Sequence, residues 1–139
     1  MTDPKPPSAI LETSLYVGSI GEARDFYGGL LGLEEVTAVE GRHVFYRCGH
    51  GMLLLFVAVE TVKPPGNPKM PVPAHGATGQ GHACFSATAD ELDLWAEAFA
   101  ENGIEVEADF CWPNGARSIY VRDPSGNSVE FAEPRLWGF

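Results

Sequence analysis

The chain is short of positive charge. Lys and Arg number 9 against 19 Asp and Glu, a formal net charge of −10. Binding along a phosphate backbone needs basic patches, so nucleic acid is not expected as a partner, and an anionic membrane surface is disfavoured for the same reason. The balance fits a soluble protein or a binder of cationic ligands. Long apolar runs are also missing: none approaches the ~20 residues a membrane span requires. The opening MTDPKPPSAI has no basic region followed by an apolar one, so no signal peptide is expected. Cysteine is scarce. Cys48, Cys84 and Cys111 are an odd count with no CxxC, which argues against a disulfide scaffold and for a reducing, cytoplasmic setting. What remains is 139 residues with 45% hydrophobic content, the size of one domain over 1–139 or of two small halves sharing a core.

Residues 1–8 are Pro-rich and read as a loose arm. Ile10–Val17 alternates as a strand. Ser19 and Glu22 form a capping-box pattern, and Ala23, Phe26, Tyr27, Leu30 and Leu31 then recur at helical spacing up to Gly32. Glu34–Glu40, His43–Cys48 and Met52–Val59 read as three strands. Residues 60–80 carry five prolines and read as a linker or lid without regular structure. The order then restarts. Gly81–Ala87 is a strand, and Thr88 with Glu91 opens a second helix whose stripe is Leu92, Trp95, Ala96, Phe99 and Ala100. Gly103 stops it, and Ile104–Ala108, Arg117–Arg122 and Ser128–Ala132 follow as strands. This is an internal βαβββ repeat in which Gly32 matches Gly103 and Glu12 matches His82. The units span roughly 9–60 and 80–134, joined by loop 61–79.

The stretch from Arg117 to Glu130 reads as two strands around a tight turn. In Asp123-Pro124-Ser125-Gly126-Asn127, Pro presets φ, Gly supplies φ > 0, and Asp and Asn bond local backbone. Alternation then places Glu130 on the face opposite its apolar neighbours Val129 and Phe131. With helices covering the apolar face, the other face collects Glu12, Ser14 and Tyr16, then His82, Cys84 and Ser86, then Ser118, Tyr120 and Arg122, and Ser128 and Glu130. A sheet face exposed to water accepts such polar groups in mid-strand, and a ligand cavity needs them to orient a ligand.

Three segments carry a family resemblance: LYV-x5-ARDFYGGLLGLE at 15–34, GHACF at 81–85 and YVRDPSGNSVEF at 120–131. With them the chain resembles the vicinal oxygen chelate superfamily, the glyoxalase, bleomycin-resistance and extradiol-dioxygenase group. The resemblance implies an α+β fold of two βαβββ repeat units forming an open cup-shaped mixed sheet with helices on the convex face. It also implies a divalent metal ion (Zn, Ni, Mn or Fe) held at positions that fall here on Glu12, Leu55, His82 and Glu130. Leu55 cannot ligate, and its place in glyoxalase I-like members holds a carboxylate that also moves protons. The metal set expected is therefore Glu12, His82 and Glu130.

One imidazole and two carboxylates leave positions open for substrate or water. A metal there acts as a Lewis acid on a small oxygenated substrate. Tyr120 and Ser118 on the same face are the expected catalytic residues, donating hydrogen bonds to a developing oxyanion. The function expected is a metal-dependent lyase, isomerase, dioxygenase or thiol transferase. The alternative is a metal-free small-molecule binder of the bleomycin-resistance kind, taking a cationic aromatic compound. A homodimer is expected in either case. His43, His50 and His75 are expected at the surface, and Tyr16, Tyr120 and Trp112 are candidates for an aromatic wall. The terminal Pro-Arg-Leu-Trp-Gly-Phe is expected to pack on its own sheet or on a second subunit.

Overall fold

The computed structural model describes residues 2–139. Two compact units meet in sequence between Thr78 and Gly79. The first holds β1 (Glu12–Tyr16), helix α1, β2 (Glu34–Val39), β3 (His43–Cys48), β4 (Gly51–Phe56) and a one-turn helix α2 (Ala58–Thr61). Helix α1 starts as an α-turn, Ile20–Ala23, and continues as a π-helix, Arg24–Leu30. The second unit holds β5 (His82–Ser86), α3 (Ala89–Glu101), β6 (Ala108–Cys111), β7 (Arg117–Arg122), β8 (Ser128–Ala132) and a final 3₁₀ turn, Pro134–Trp137.

The expected repeat is present in the pairing. One sheet runs β1-β4-β3-β2 and the other β5-β8-β7-β6. In each, the first strand lies parallel to the last and the remaining neighbours are antiparallel. This is an α+β fold of two mixed four-stranded sheets. Parallel neighbours need a long connection, and here the helix and the two intervening strands supply it in each unit.

Alternation sorts the residues as the period of two requires. In the first unit Leu15, Leu55 and Val44 stand side by side across three strands, as do Thr13, Leu53 and Tyr46. Their apolar members are buried together with Ile20, Ala23, Phe26 and Tyr27 of α1. In the second unit Leu92 and Phe99 of α3 are buried, and Phe99 meets Phe131 of β8 ring to edge at 5.6 Å. Burying each such side chain contributes about 1.5–3 kcal/mol. Both helices begin as expected. Ser19 accepts from the Glu22 N–H at 3.2 Å, and Thr88 and Glu91 close a reciprocal capping box.

Four expectations are corrected. The strand expected over Ile104–Ala108 lies at Ala108–Cys111, because its partner β7 offers Tyr120 to Arg117 for pairing and Asp109 meets Arg117 in a two-pronged ion pair. The strand expected to reach Val59 ends at Phe56, where α2 begins. Leu30 and Leu31 are half-exposed, since wider π winding rotates them off the stripe. Of the two placements expected for the terminal aromatics, packing on the chain's own sheet does not occur, since Trp137 and Phe139 are 78% and 92% exposed on this chain.

His75 is likewise half-buried rather than freely exposed. Its Nδ1 meets the Tyr16 hydroxyl at 2.7 Å, and its ring stands edge-on to Phe56 at 4.7 Å. His43 stacks on Phe45 at 4.3 Å. Tyr16, Phe56 and His43 form one cross-strand row, so aromatic packing draws both histidines in. The long loop is thus fastened to the first sheet at His75, whose N–H also donates to the Thr61 carbonyl.

The π segment packs closely on β3 at Gly28. A Cβ at Gly28 would stand 3.0 Å from the Tyr46 hydroxyl oxygen. Tyr46 is buried, and its hydroxyl has no hydrogen-bond partner among the described residues. A buried unpaired hydroxyl is destabilising, so Tyr46→Phe is expected to raise unfolding stability by about 1 kcal/mol. Urea unfolding reads this as a higher midpoint at unchanged slope, and a lowered midpoint would show that the hydroxyl is satisfied.

Candidate functional site

The site is built on the second sheet from the 123–127 turn. Asp123 Oδ1 accepts from the N–H groups of Ser125 and Asn127, both at 2.9 Å. Asn127 Nδ2 donates to Asp123 Oδ2 at 2.9 Å, and Asn127 Oδ1 accepts from the Gly81 N–H at 2.8 Å. Gly126 has φ +87°, the conformation that favours glycine. Asp123 and Asn127 are buried. The turn therefore does more than reverse the chain. It fastens the start of β5 to the start of β8 and sets their register.

That register makes two rows. His82 lies beside Ser128, and Ser128 beside Arg122. Next along, Cys84 lies beside Glu130, and Glu130 beside Tyr120. Glu130 is 5% exposed. Its Oε2 accepts from the Ser118 hydroxyl at 2.6 Å. Ser118, fully buried, in turn accepts from the Trp112 indole N–H at 2.8 Å. The other oxygen, Oε1, stands 3.2 Å from His82 Nε2.

The tautomer of His82 follows from its other contact. His82 Nδ1 lies 2.9 Å from the Ser128 carbonyl oxygen. A carbonyl only accepts, so Nδ1 carries the proton. In the neutral ring Nε2 then presents a lone pair, and it faces a carboxylate oxygen that presents another. Two lone pairs 3.2 Å apart repel, and a proton or a metal cation between them removes the repulsion. A histidine held through Nδ1–H by a backbone carbonyl is the arrangement that orients Nε2 toward a metal. One imidazole nitrogen and one carboxylate oxygen fit Zn, Ni, Mn or Fe as part of a ligand set.

Tyr120 and Cys84 flank the carboxylate and keep their protons. Burial, then hydrogen bonding to Glu130 and its charge, push the Tyr120 hydroxyl up to about 12. Cys84 keeps contact with solvent, but desolvation against the packed sheet face, together with the charge of Glu130, pushes its thiol up to about 12. An aromatic ladder continues along this face. Phe110 stacks on Tyr120 at 5.9 Å and 3°, and Tyr120 on His82 at 6.2 Å and 16°. Trp112 meets Phe110 at 4.8 Å.

The structure thus brings His82, Glu130, Ser118 and Tyr120 together. Glu12 is exposed on β1 of the first unit, beside Met52. Among the described residues no group of three or more His, Cys, Asp or Glu side chains is gathered for a metal. The position matched to Leu55 needs correction. Leu55 pairs with Leu15 and is fully buried on the helix side. The repeat counterpart of Glu130 is Leu54, which pairs with Ser14 as Glu130 pairs with Cys84. Family spacing alone was one residue out, which on a strand means the opposite face. Trp112, a candidate for an aromatic wall, instead contributes its indole N–H to the site. The cue available was a donor-only indole in a Pro-Asn-Gly turn six residues before Ser118.

A family model described as the Glyoxalase/Bleomycin resistance protein/Dioxygenase superfamily matches residues 9–131. The chain belongs to that superfamily. Among solved structures it is similar to a lactoylglutathione lyase from Agrobacterium tumefaciens, at 49% identity and TM-score 0.92, covering 97% of this chain and 100% of that one. A glyoxalase/dioxygenase from Nostoc punctiforme is 23% identical at TM-score 0.66, covering 95% and 97%. An integron cassette protein from the Halifax Harbour sewage outfall metagenome is 21% identical at TM-score 0.70, covering 91% and 99%. The last two show the fold alone. A comparison with curated proteins returned no match.

Two outcomes test this geometry. Asn127→Ala leaves the Asp123 carboxylate and the Gly81 N–H short of partners and is expected to cost about 2–3 kcal/mol in chemical denaturation. A loss under half a unit on that scale would show that the turn does not hold β5. In protein stripped of divalent ions, Cys84 is expected to react slowly with iodoacetamide at pH 8 despite its exposure, because the thiolate dominates only above about pH 12. Glu130→Gln removes part of the cause and should speed the reaction, whereas equal rates in the two proteins would disprove the coupling.

Proposed function

We propose that this protein is a divalent-metal-dependent enzyme of the superfamily, a lyase or isomerase acting on a small oxygenated substrate. The observation that supports this best is the convergence of the His82 Nε2 and Glu130 Oε1 lone pairs, each oriented by a hydrogen bond on its far side. The similarity to a lactoylglutathione lyase supports the reaction class. His82 and Glu130 are the ligands proposed here, and Glu12, the repeat counterpart of His82, is the further donor expected from the sequence. A bound divalent ion supplies Lewis acidity toward a substrate oxygen.

The side chains divide the remaining work. The Ser128 carbonyl keeps His82 in one tautomer. Ser118 keeps Glu130 from turning. Tyr120, which holds its proton across the physiological range, donates a hydrogen bond to a substrate oxygen as negative charge develops. The first unit supplies no matching carboxylate, because Leu54 stands where the second unit has Glu130. The proposed reaction on a small oxygenated substrate therefore does not use a carboxylate at that position as its base.

A second reading rests on the Phe110–Tyr120–His82 ladder beside Glu130. Stacked rings beside a carboxylate suit a flat cationic ligand. Quenching of tryptophan fluorescence by such a compound, unchanged by chelator, would favour this binding role.

Metal content decides between them. Plasma mass spectrometry of the full chain, reconstituted with Mn, Fe, Ni or Zn, is expected to give about one ion per chain. His82→Ala and Glu130→Ala should lose it, and Glu12→Ala should weaken it. Metal absent from the wild type, or retained in both of the first two variants, would refute the enzyme reading.

A further inference from the structure

Trp112 sits outside the residues proposed to touch metal or substrate, yet its hydrogen bond determines how they are oriented. We propose that Trp112 is a positioning residue that, through Ser118, dictates which oxygen of Glu130 is offered to a cation. The inference rests on the reading of His82 and Glu130 as ligands.

The argument is one of hydrogen-bond polarity. An indole N–H donates and cannot accept. Trp112 Nε1–H therefore points at Ser118 Oγ, at 2.8 Å. Ser118 has a single proton, and with one lone pair engaged by the indole it sends that proton to Glu130 Oε2, at 2.6 Å. Each bond in such a chain polarises the next. Oε2 is thereby committed as an acceptor, and Oε1 is left aimed at His82 Nε2. Without the indole, a hydroxyl can rotate and the carboxylate can turn with it.

Trp112 is itself held rigidly. Its N–H donates to the Ala116 carbonyl, and its carbonyl accepts from Gly115 N–H, both at 2.8 Å. Asn114 Oδ1 accepts from Ala116 N–H at 3.0 Å. Arg135 of the final 3₁₀ turn donates to the Gly115 carbonyl at 2.7 Å, and Asn114 Nδ2 reaches the carbonyls of Arg135 and Leu136. The chain's last turn thus braces the loop that carries the indole. Support of this kind around a ligand changes metal affinity by about 10–100-fold when removed.

The test is calorimetric titration of chelator-stripped full chain with Mn²⁺ or Zn²⁺, using Trp112→Phe, Ser118→Ala and the double variant. Phe keeps an aromatic ring against Phe110 and removes the N–H donor. Trp112→Phe is expected to bind about tenfold more weakly or worse, and Ser118→Ala at least as weakly. The double variant should bind no more weakly than Ser118→Ala alone, since the indole acts only through the hydroxyl. Losses that multiply in the double variant would instead mark a general structural role and overturn the proposal, as would Trp112→Phe binding within twofold of wild type.

A second readout needs no substitution at Trp112. Its indole N–H proton resonance should shift on Zn²⁺ addition in the wild type and stay still in Ser118→Ala, and an unmoved resonance in the wild type would count against the relay. Metal binding that is normal in wild type and in Trp112→Phe would sink this inference and leave the proposed function standing. A wild type that binds no metal would sink both.

Discussion

The alignment of β5 against β8 is the constraint on which the second unit depends. These strands are parallel and lie far apart in sequence, so no short turn fixes their register. The Asp123–Asn127 turn, buried at its two ends, does so by extending the Asn127 carboxamide oxygen to the Gly81 N–H. A slip of one residue would send every side chain of β5 to the other face. His82 would leave the Ser128 carbonyl and Glu130, and the aromatic ladder would lose its end. A few buried hydrogen bonds at a loop thus specify the geometry of a site built on rigid strands.

The second consequence concerns charge. A carboxylate as buried as Glu130 is costly unless it is hydrogen bonded or paired. Here one oxygen is satisfied by a directed chain from Trp112 through Ser118, and the other confronts an imidazole lone pair. One oxygen is engaged by a neutral hydroxyl, and the other is open to a proton on His82 Nε2 or to a cation. That asymmetry is what marks the place as a site. Tyr120 and Cys84 hold their protons first because burial disfavours their charged forms, and then because of the adjacent Glu130.

The two halves repeat their backbone and not their chemistry. The row that holds Cys84, Glu130 and Tyr120 in the second sheet holds Ser14, Leu54 and Phe45 in the first. The row of Tyr16, Phe56 and His43 is further closed by His75 from the long loop. The strand order is set by main-chain pairing and crossover length, which tolerate many side chains. The exposed parity is free to diverge, and it is polar in one unit and largely apolar in the other.

Periodicity and turn chemistry by themselves determined the repeat, the helix caps and most strands. β3, β7 and β8 fall within the residues that alternation marked, because a run bounded by Gly, Pro or Asn has few other ways to satisfy its backbone. Alternation also placed His82, Ser118, Tyr120 and Glu130 on one face. Tertiary structure alone decided the rest. Which nitrogen of His82 carries a proton depends on a carbonyl 46 residues away. The choice of Leu54 over Leu55 as the counterpart of Glu130 depends on cross-strand register, which spacing within one strand does not contain. The extent of β6 was set by its partner, and the burial of His43 and His75 by rings on other strands. The polarity imposed by Trp112 arises where a turn, a strand and a carboxylate meet, and such three-way contacts have no period in the sequence.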